Sequence, residues 1–511
     1  MLLSEVAEVS EALAARASRR AKIDVIARLL GAADPADAGL AASYLAGVMP
    51  QGRIGVGWAT LRDITPDPAP SPVLTLADVD RAVTEVAALT GSGSEERRRN
   101  AATRLFEQAT AGEQRFLTAL LLGEVRHGAL EGVVSDAVAV ASGAPAESVR
   151  RALMVGAGIA EVATAAVEGG SGRLGRFRVR LFRPIRPMLA ESAPDPAAAL
   201  ARTGPGAVEV KYDGARIQVH RRGRRVAVFT RNLRDVTDRT PEVAAAVRDL
   251  PGGSLILDGE ALVLGPDGRP RPFQESASRF GTESDGGGEP LTPVFFDLLY
   301  ADGRDRTGMA AAGRRRLLEA AVPAGLLVPR IEPSSPDQAA GFMAEALAAG
   351  HEGIVVKAME SPYAAGRRGA AWVKVKPVHT LDLVVLAAEW GHGRRQGYLS
   401  NLHLGARDEE HGGFVMLGKT FKGLTDEMLV WQTERLLRLE ERRTRSAVFV
   451  RPEQVVEIAF DGVQSSTRYP GGVTLRFARV RGYREDKTAS EADTLAMVEA
   501  IHRGEVVPSV G

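Results

Sequence analysis

The sequence predicts a multidomain protein with an all-α N-terminal domain, a middle α+β domain of antiparallel sheets, and a C-terminal all-β domain. Three observations predict it. Apolar residues recur at helical spacing through the first third. From about residue 184, short β-branched runs separated by glycine turns take over. From about residue 382 strands return, with one Leu- and Arg-rich helix among them at roughly 425–440. At 511 residues the chain is long enough for two to four domains, each with its own core. The expected boundaries are 1–183, 184–381 and 382–511.

In the first third, Leu2, Val6, Val9 and Leu13 lie on one helical face, as do Ile23, Ile26 and Leu30. Ala33-Asp34-Pro35 and Gly91-Ser92-Gly93 break the pattern. Ser94-Glu95-Glu96 reads as a helix start, and a further apolar-faced helix begins near Gly112. The stretch from Gly123 to Val133 sets Arg126 and His127 among glycines. Such a turn brings backbone N–H groups close to a phosphate, or it joins two helices. Between Gly172 and Pro187 stand six arginines with no acid. Arg176, Arg178 and Arg180 alternate with apolar residues, a strand-like pattern expected to form a basic linker along a nucleic-acid backbone.

Composition narrows the chemistry. There is no cysteine, which removes disulfides, thiolate zinc sites, iron–sulfur clusters and cysteine nucleophiles. Net charge is +1, so any nucleic-acid face must be local. No apolar run resembles a signal peptide or a membrane span, so a cytoplasmic protein with no membrane partner is expected, working as a monomer. Of 65 basic residues only eight are lysine. Where charge alone is enough, this chain uses arginine. A lysine is therefore informative, because an amine can lose its proton and act as a nucleophile while a guanidinium stays charged.

One lysine, Lys211, stands in Glu209-Val210-Lys211-Tyr212-Asp213-Gly214-Ala215-Arg216. The stretch reads as a strand, a tight turn and a second strand. Arg231 follows the third strand of the meander, where its planar fork can grip ribose or phosphate oxygens. Leu255 to Glu260 is a buried strand ending in acid, and Glu260 is placed to hold a divalent metal or a ribose. Val294 to Tyr300 is another apolar strand, carrying Phe296. Glu352 opens a further strand; a second carboxylate near a triphosphate suits Mg²⁺, which prefers oxygen ligands. In Trp372-Val373-Lys374-Val375-Lys376 the alternation points both lysines to one face. Two ammonium groups side by side call for an anion between them, and phosphate is the natural one.

Gly413 to Thr420 matches the phosphate-loop pattern G-x-x-x-x-G-K-[ST]. Its middle residues are large and apolar, so a strand is expected there instead of a phosphate cradle. The short strands around it, with one helix, suit an OB-fold.

The ordered set Lys-x-Asp-Gly, Arg, Asp-Gly-Glu, Phe-Asp, Glu-Gly and Lys-x-Lys resembles the nucleotidyltransferase motifs of ATP-dependent DNA ligases. Pro187-Met188-Leu189-Ala190 resembles the lead-in to their catalytic domain, and the Arg126 turn resembles one in their helical DNA-binding domain. Arg476 to Lys487 resembles their last motif, a cationic segment that moves over the nucleotide. The resemblance implies ATP and Mg²⁺ as cofactors and Lys211 as the nucleophile that becomes lysyl-AMP. It implies an adenine contact at Glu209, adenine stacking at Phe296 and a nucleotide-binding arginine at Arg368. Arg216, Lys374 and Lys376 would supply cations around the nucleophile. The implied substrate is nicked double-stranded DNA, sealed in replication, recombination or repair. An RNA ligase or a GTP-using capping enzyme shares Lys-x-Asp-Gly and is the alternative. A non-catalytic DNA clamp is a third reading.

Overall fold

Helices fill the N-terminal third of the computed structural model, which describes all residues except 53, 126, 129–130, 272–274, 277–278, 281–288, 366–367, 393–394 and 507–511. The chain divides into two units. One comprises Met1–Glu191, Asp213–Val328 and Ala358–Trp372; the other comprises Ser192–Tyr212, Pro329–Lys357 and Val373–Gly511.

In the first unit ten helices, counted among the described residues, run from Leu3–Ala14 to Ile159–Leu174. Their starts follow local chemistry. The Thr75 and Thr110 hydroxyls each cap a helix by accepting from the Asp78 and Glu113 N–H groups, and their own N–H groups donate back to those carboxylates. The predicted break at Ala33-Asp34-Pro35 falls between Arg19–Gly31 and Pro35–Leu45, and Ser94 does begin a helix, Ser94–Glu107. Leu3, Ile26, Leu30, Tyr44, Leu117 and Val134 meet in one fully buried core. Arg126 lies outside the described residues; its neighbour His127 is buried, and its carbonyl accepts from Lys22 Nζ at 2.7 Å. The linker expected to be strand-like is no strand: residues 177–180 carry no ladder. Its later arginines bind protein, Arg183 holding the Gly156 carbonyl and Arg186 the Glu131 carboxylate.

Ten strands cover the middle region: β1 (Leu189–Ser192), β2 (Gly206–Lys211), β3 (Ala215–Arg222), β4 (Arg225–Thr230), β5 (Ser254–Val263), β6 (Leu291–Ala301), β7 (Arg304–Asp305), β8 (Arg330–Ile331), β9 (Gly353–Ala358) and β10 (Arg368–Val375). In the first unit an antiparallel sheet runs β4–β3–β5–β6–β7. Ile217, Val219, Leu257, Phe295 and Leu298 build its core. The second sheet runs β1–β10–β9–β2–β8.

The C-terminal part of the second unit is strand-dominated: β11 (His379–Trp390), β12 (Leu399–Arg407), β13 (Phe414–Thr420), β14 (Glu440–Arg443), β15 (Ala447–Val450), β16 (Val455–Phe460), β17 (Gly462–Ser465), β18 (Val473–Arg476) and β19 (Arg479–Tyr483). Long β11 serves three partners, pairing β16 with its first half and β15 with its second, and β12 along its other edge. The helix expected at 425–440 is Asp426–Arg438, capped by Thr425. The phosphate-loop look-alike is β13, paired with β12 from Phe414 to Thr420. The expected fold class therefore holds: helices first, then antiparallel sheets, then a strand-dominated region. No helix among the described residues is long and apolar enough to cross a membrane.

Candidate active site

Lys211 ends β2, and the strand's two-residue period puts Glu209 on the same face. The Glu209 carboxylate is buried against Lys357 Nζ of β9 at 2.6 Å. One residue before β9, the Glu352 N–H donates to the Lys211 carbonyl at 3.0 Å. That bond sets the two side chains together. Glu352 Oε2 is ion-paired with Lys211 Nζ, while Oε1 pairs with Lys376 Nζ at 2.9 Å. Lys376 also pairs with Asp461, whose Oδ1 accepts from Arg479 Nη1 at 3.1 Å. Lys211, Glu352, Lys376, Asp461 and Arg479 thus form a continuous line of alternating charge.

Lys374 joins this field from β10. Val373 and Val375 are fully buried while Lys374 and Lys376 are half-buried, as the alternation required. Burial pushes the Lys374 ammonium below its ordinary pKa, and Lys376 and Lys211 push the same way. Burial also acts on Lys376, but Glu352 and Asp461 outweigh it and the group is raised. Burial alone would raise the Glu352 carboxyl; Lys211 and Lys376 reverse this and hold it low, as a carboxylate. The arrangement favours an added anion near Lys374, whose charge is the least compensated.

The other predicted residues lie in the first unit. Arg216 on β3 faces Glu260 across the ladder, with Asp258 two residues along β5 on the same face. Asp258 holds the guanidinium with two bonds, of 3.1 and 2.7 Å. The Met188 carbonyl takes a third at 2.6 Å, and Tyr363 Oη donates to Asp258 at 2.7 Å. Burial opposes the Arg216 charge, but the Asp258 carboxylate more than restores it. Phe296 falls at a bulge in the β5–β6 ladder, where the register shifts between Asp258 and Gly259. It leaves the core to Phe295 and lies half-exposed, with Arg216 5.5 Å from its ring centroid and Trp372 packed edge-on at 5.8 Å. Glu260 is half-buried on β5. Arg231 is exposed, one residue past β4. Arg368 opens β10, and its side chain lies outside the described residues.

Sequence reasoning missed Asp461, Tyr363 and Trp372 as site residues. Asp461 had a signal: like Asp258, it is an acid followed by glycine after a run of apolar residues. Tyr363 had none, since its role depends on β3 and β5.

Three family models match the chain: ATP dependent DNA ligase domain at 187–376, ATP dependent DNA ligase C terminal region at 395–487, and DNA ligase N terminus at 61–139. A protein of Nocardioides sp. named Probable DNA ligase is 54% identical over 507 residues, 98% of this chain and 99% of that protein. The chain belongs to the ATP-dependent DNA ligase family. A Streptomyces avermitilis protein, also named Probable DNA ligase, is 53% identical over 510 residues, covering 98% of this chain and 99% of its own length. The solved structure Pmar-Lig_PreS3 is 18% identical, covers 94% of this chain and 99% of its own, and superposes with a TM-score of 0.63, a likeness of fold.

The glycine of this ligase-family chain's Lys-x-Asp-Gly stretch has a packing reason. A Cβ on Gly214 would lie 2.4 Å from Leu262 Cδ2, 2.7 Å from the Ala261 carbonyl and 2.8 Å from Glu260 Cγ. Gly214→Ala must shift β5 and Glu260 with it. The expected cost is about 1–3 kcal/mol, with slower adenylate formation. Thermal melting beside an adenylation time course checks this; an unchanged melt would show that the turn has room.

Proposed function

We propose that this chain seals nicks in double-stranded DNA with ATP, through a lysyl-AMP intermediate on Lys211. The observation that carries the reading is one amine, Lys211, held in a line of lysines and carboxylates that includes Glu352, Lys376 and Lys374. Family membership and full-length relatives named Probable DNA ligase support it.

Lys211 Nζ, once deprotonated, attacks the α-phosphorus of ATP. A nitrogen–phosphorus bond forms, the bond to the bridging oxygen breaks, and pyrophosphate leaves. Before nucleotide binds, Glu352 holds the Lys211 ammonium, so the attack requires that pair to open. Lys374 and Lys376 offset charge on the phosphate oxygens. AMP then passes to the 5′-phosphate at the nick, the 3′-hydroxyl attacks that phosphate, and AMP is released.

In this reading Glu209 and Phe296 contact the adenine, while Arg216, Arg231 and Arg368 serve the nucleotide. The Glu209–Lys357 pair then also fixes β2 behind the nucleophile. Mg²⁺, held by Glu260 and Glu352, would stabilise charge on the triphosphate. No cluster of three acidic or imidazole groups that could hold a metal occurs among the described residues. Mg²⁺ completes its shell with water and phosphate oxygens and so needs only one or two protein carboxylates. The helical domain (1–183), the adenylation domain (184–381) and the region 382–511, read as an OB-fold, grip the duplex through its backbone without reading sequence. The protein works as a cytoplasmic monomer in replication, recombination or repair.

Mass spectrometry of the protein after incubation with ATP and Mg²⁺ tests the proposal. An AMP-sized gain on Lys211 is expected. A GMP adduct formed from GTP would favour the capping-type alternative instead, and nick binding with no adduct would favour a clamp.

A further inference from the structure

Lys376 faces two carboxylates. One, Glu352, also holds the nucleophile Lys211; the other, Asp461, comes from the junction of β16 and β17. Asp461 is fixed on both sides. Its N–H donates to the Arg476 carbonyl at 2.9 Å, and its side chain, only 13% exposed, bridges Lys376 and Arg479. Glu352 is shared between Lys211 and Lys376, and Asp461 is a second anion on Lys376. It also covers Arg479, a residue of the cationic C-terminal segment. The cluster therefore sets four cations (Lys211, Lys374, Lys376, Arg479) against two anions, Glu352 and Asp461.

We propose that Asp461 is a built-in counter-anion of the adenylation site, holding Lys376 and Arg479 until the nucleotide's phosphates displace it. The proposal rests on the reading of this cluster as the ATP site. It makes Asp461 a positioning residue that acts through two cations. Before binding, the carboxylate keeps like charges from repelling one another. On binding, its departure frees Arg479 together with Lys376. A site filled by its own anion is competent for only part of the time, and apparent affinity falls by that fraction.

The test measures single-turnover lysyl-adenylate formation across ATP concentrations for the full chain and for Asp461→Asn and Asp461→Glu. Removing the charge should lower half-saturating ATP about five- to tenfold, with a smaller change in the rate at saturation. Asp461→Glu should restore the wild-type value. Calorimetric binding of inorganic tripolyphosphate should tighten in Asp461→Asn by a similar factor. Asp461→Ser gives the same comparison should the Asn variant not fold. Unchanged or weaker binding in the neutral variants would overturn the proposal and leave Asp461 a scaffold residue. The two readings fail separately. A wild-type chain that forms no adenylate sinks the ligase function, while the tripolyphosphate comparison still decides the role of Asp461.

Discussion

Lys211→Arg will form no adenylate and seal no nicks. Arginine keeps the positive charge beside Glu352, so the line of paired charges survives. What it loses is the ability to shed a proton and bond to phosphorus. Removing a nucleophile costs far more than removing a binding contact, so sealing should fall roughly a thousandfold or more. Nick binding, measured by gel shift, should stay within about twofold, because backbone contacts are spread over the duplex. Lys211→Ala should behave alike in joining. The outcome that refutes this assignment is a Lys211→Arg protein that still gains the mass of AMP.

Asp258→Ala will cause the largest loss of stability among the site variants. The Asp258 side chain is 1% exposed and Arg216 15%. Alanine leaves a buried guanidinium with no carboxylate and takes the acceptor from Tyr363 Oη. Breaking one side of a buried pair costs about 3–5 kcal/mol, mostly from the stranded charge. The ring of Trp372 lies 5.6 Å from the Arg216 guanidinium and offers a local fluorescent reporter for denaturant unfolding. Asp258→Asn keeps the shape and should lose less. A loss under about 1 kcal/mol in the alanine variant would show that water reaches Arg216 and that the pair is not buried in solution.

Much of the site was legible because its chemistry is local. Strand alternation put Lys374 and Lys376 on one face, and Val373 and Val375 in the core, before any fold was known. Rejecting the phosphate-loop pattern needed only the size of Phe414, Val415, Met416 and Leu417, and β13 is where they lie. The linker arginines misled because alternation alone does not supply a partner strand. Residues 177–180 have none, while Arg183 and Arg186 are taken by Gly156 and Glu131.

Residue order alone determined the helical first third, the antiparallel middle, the strand-dominated end and the scarce lysines that mark the chemistry. Periodicity, turn chemistry and residue type act over a few positions and can be read in line. Only the tertiary structure decided that Asp258 grips Arg216 with two bonds, that Phe296 stands at a bulge, and that Glu352 and Asp461 share Lys376. Those choices depend on ladder register and on residues 85 positions apart in the chain. A charge picks its partner by distance in space, which no local pattern records.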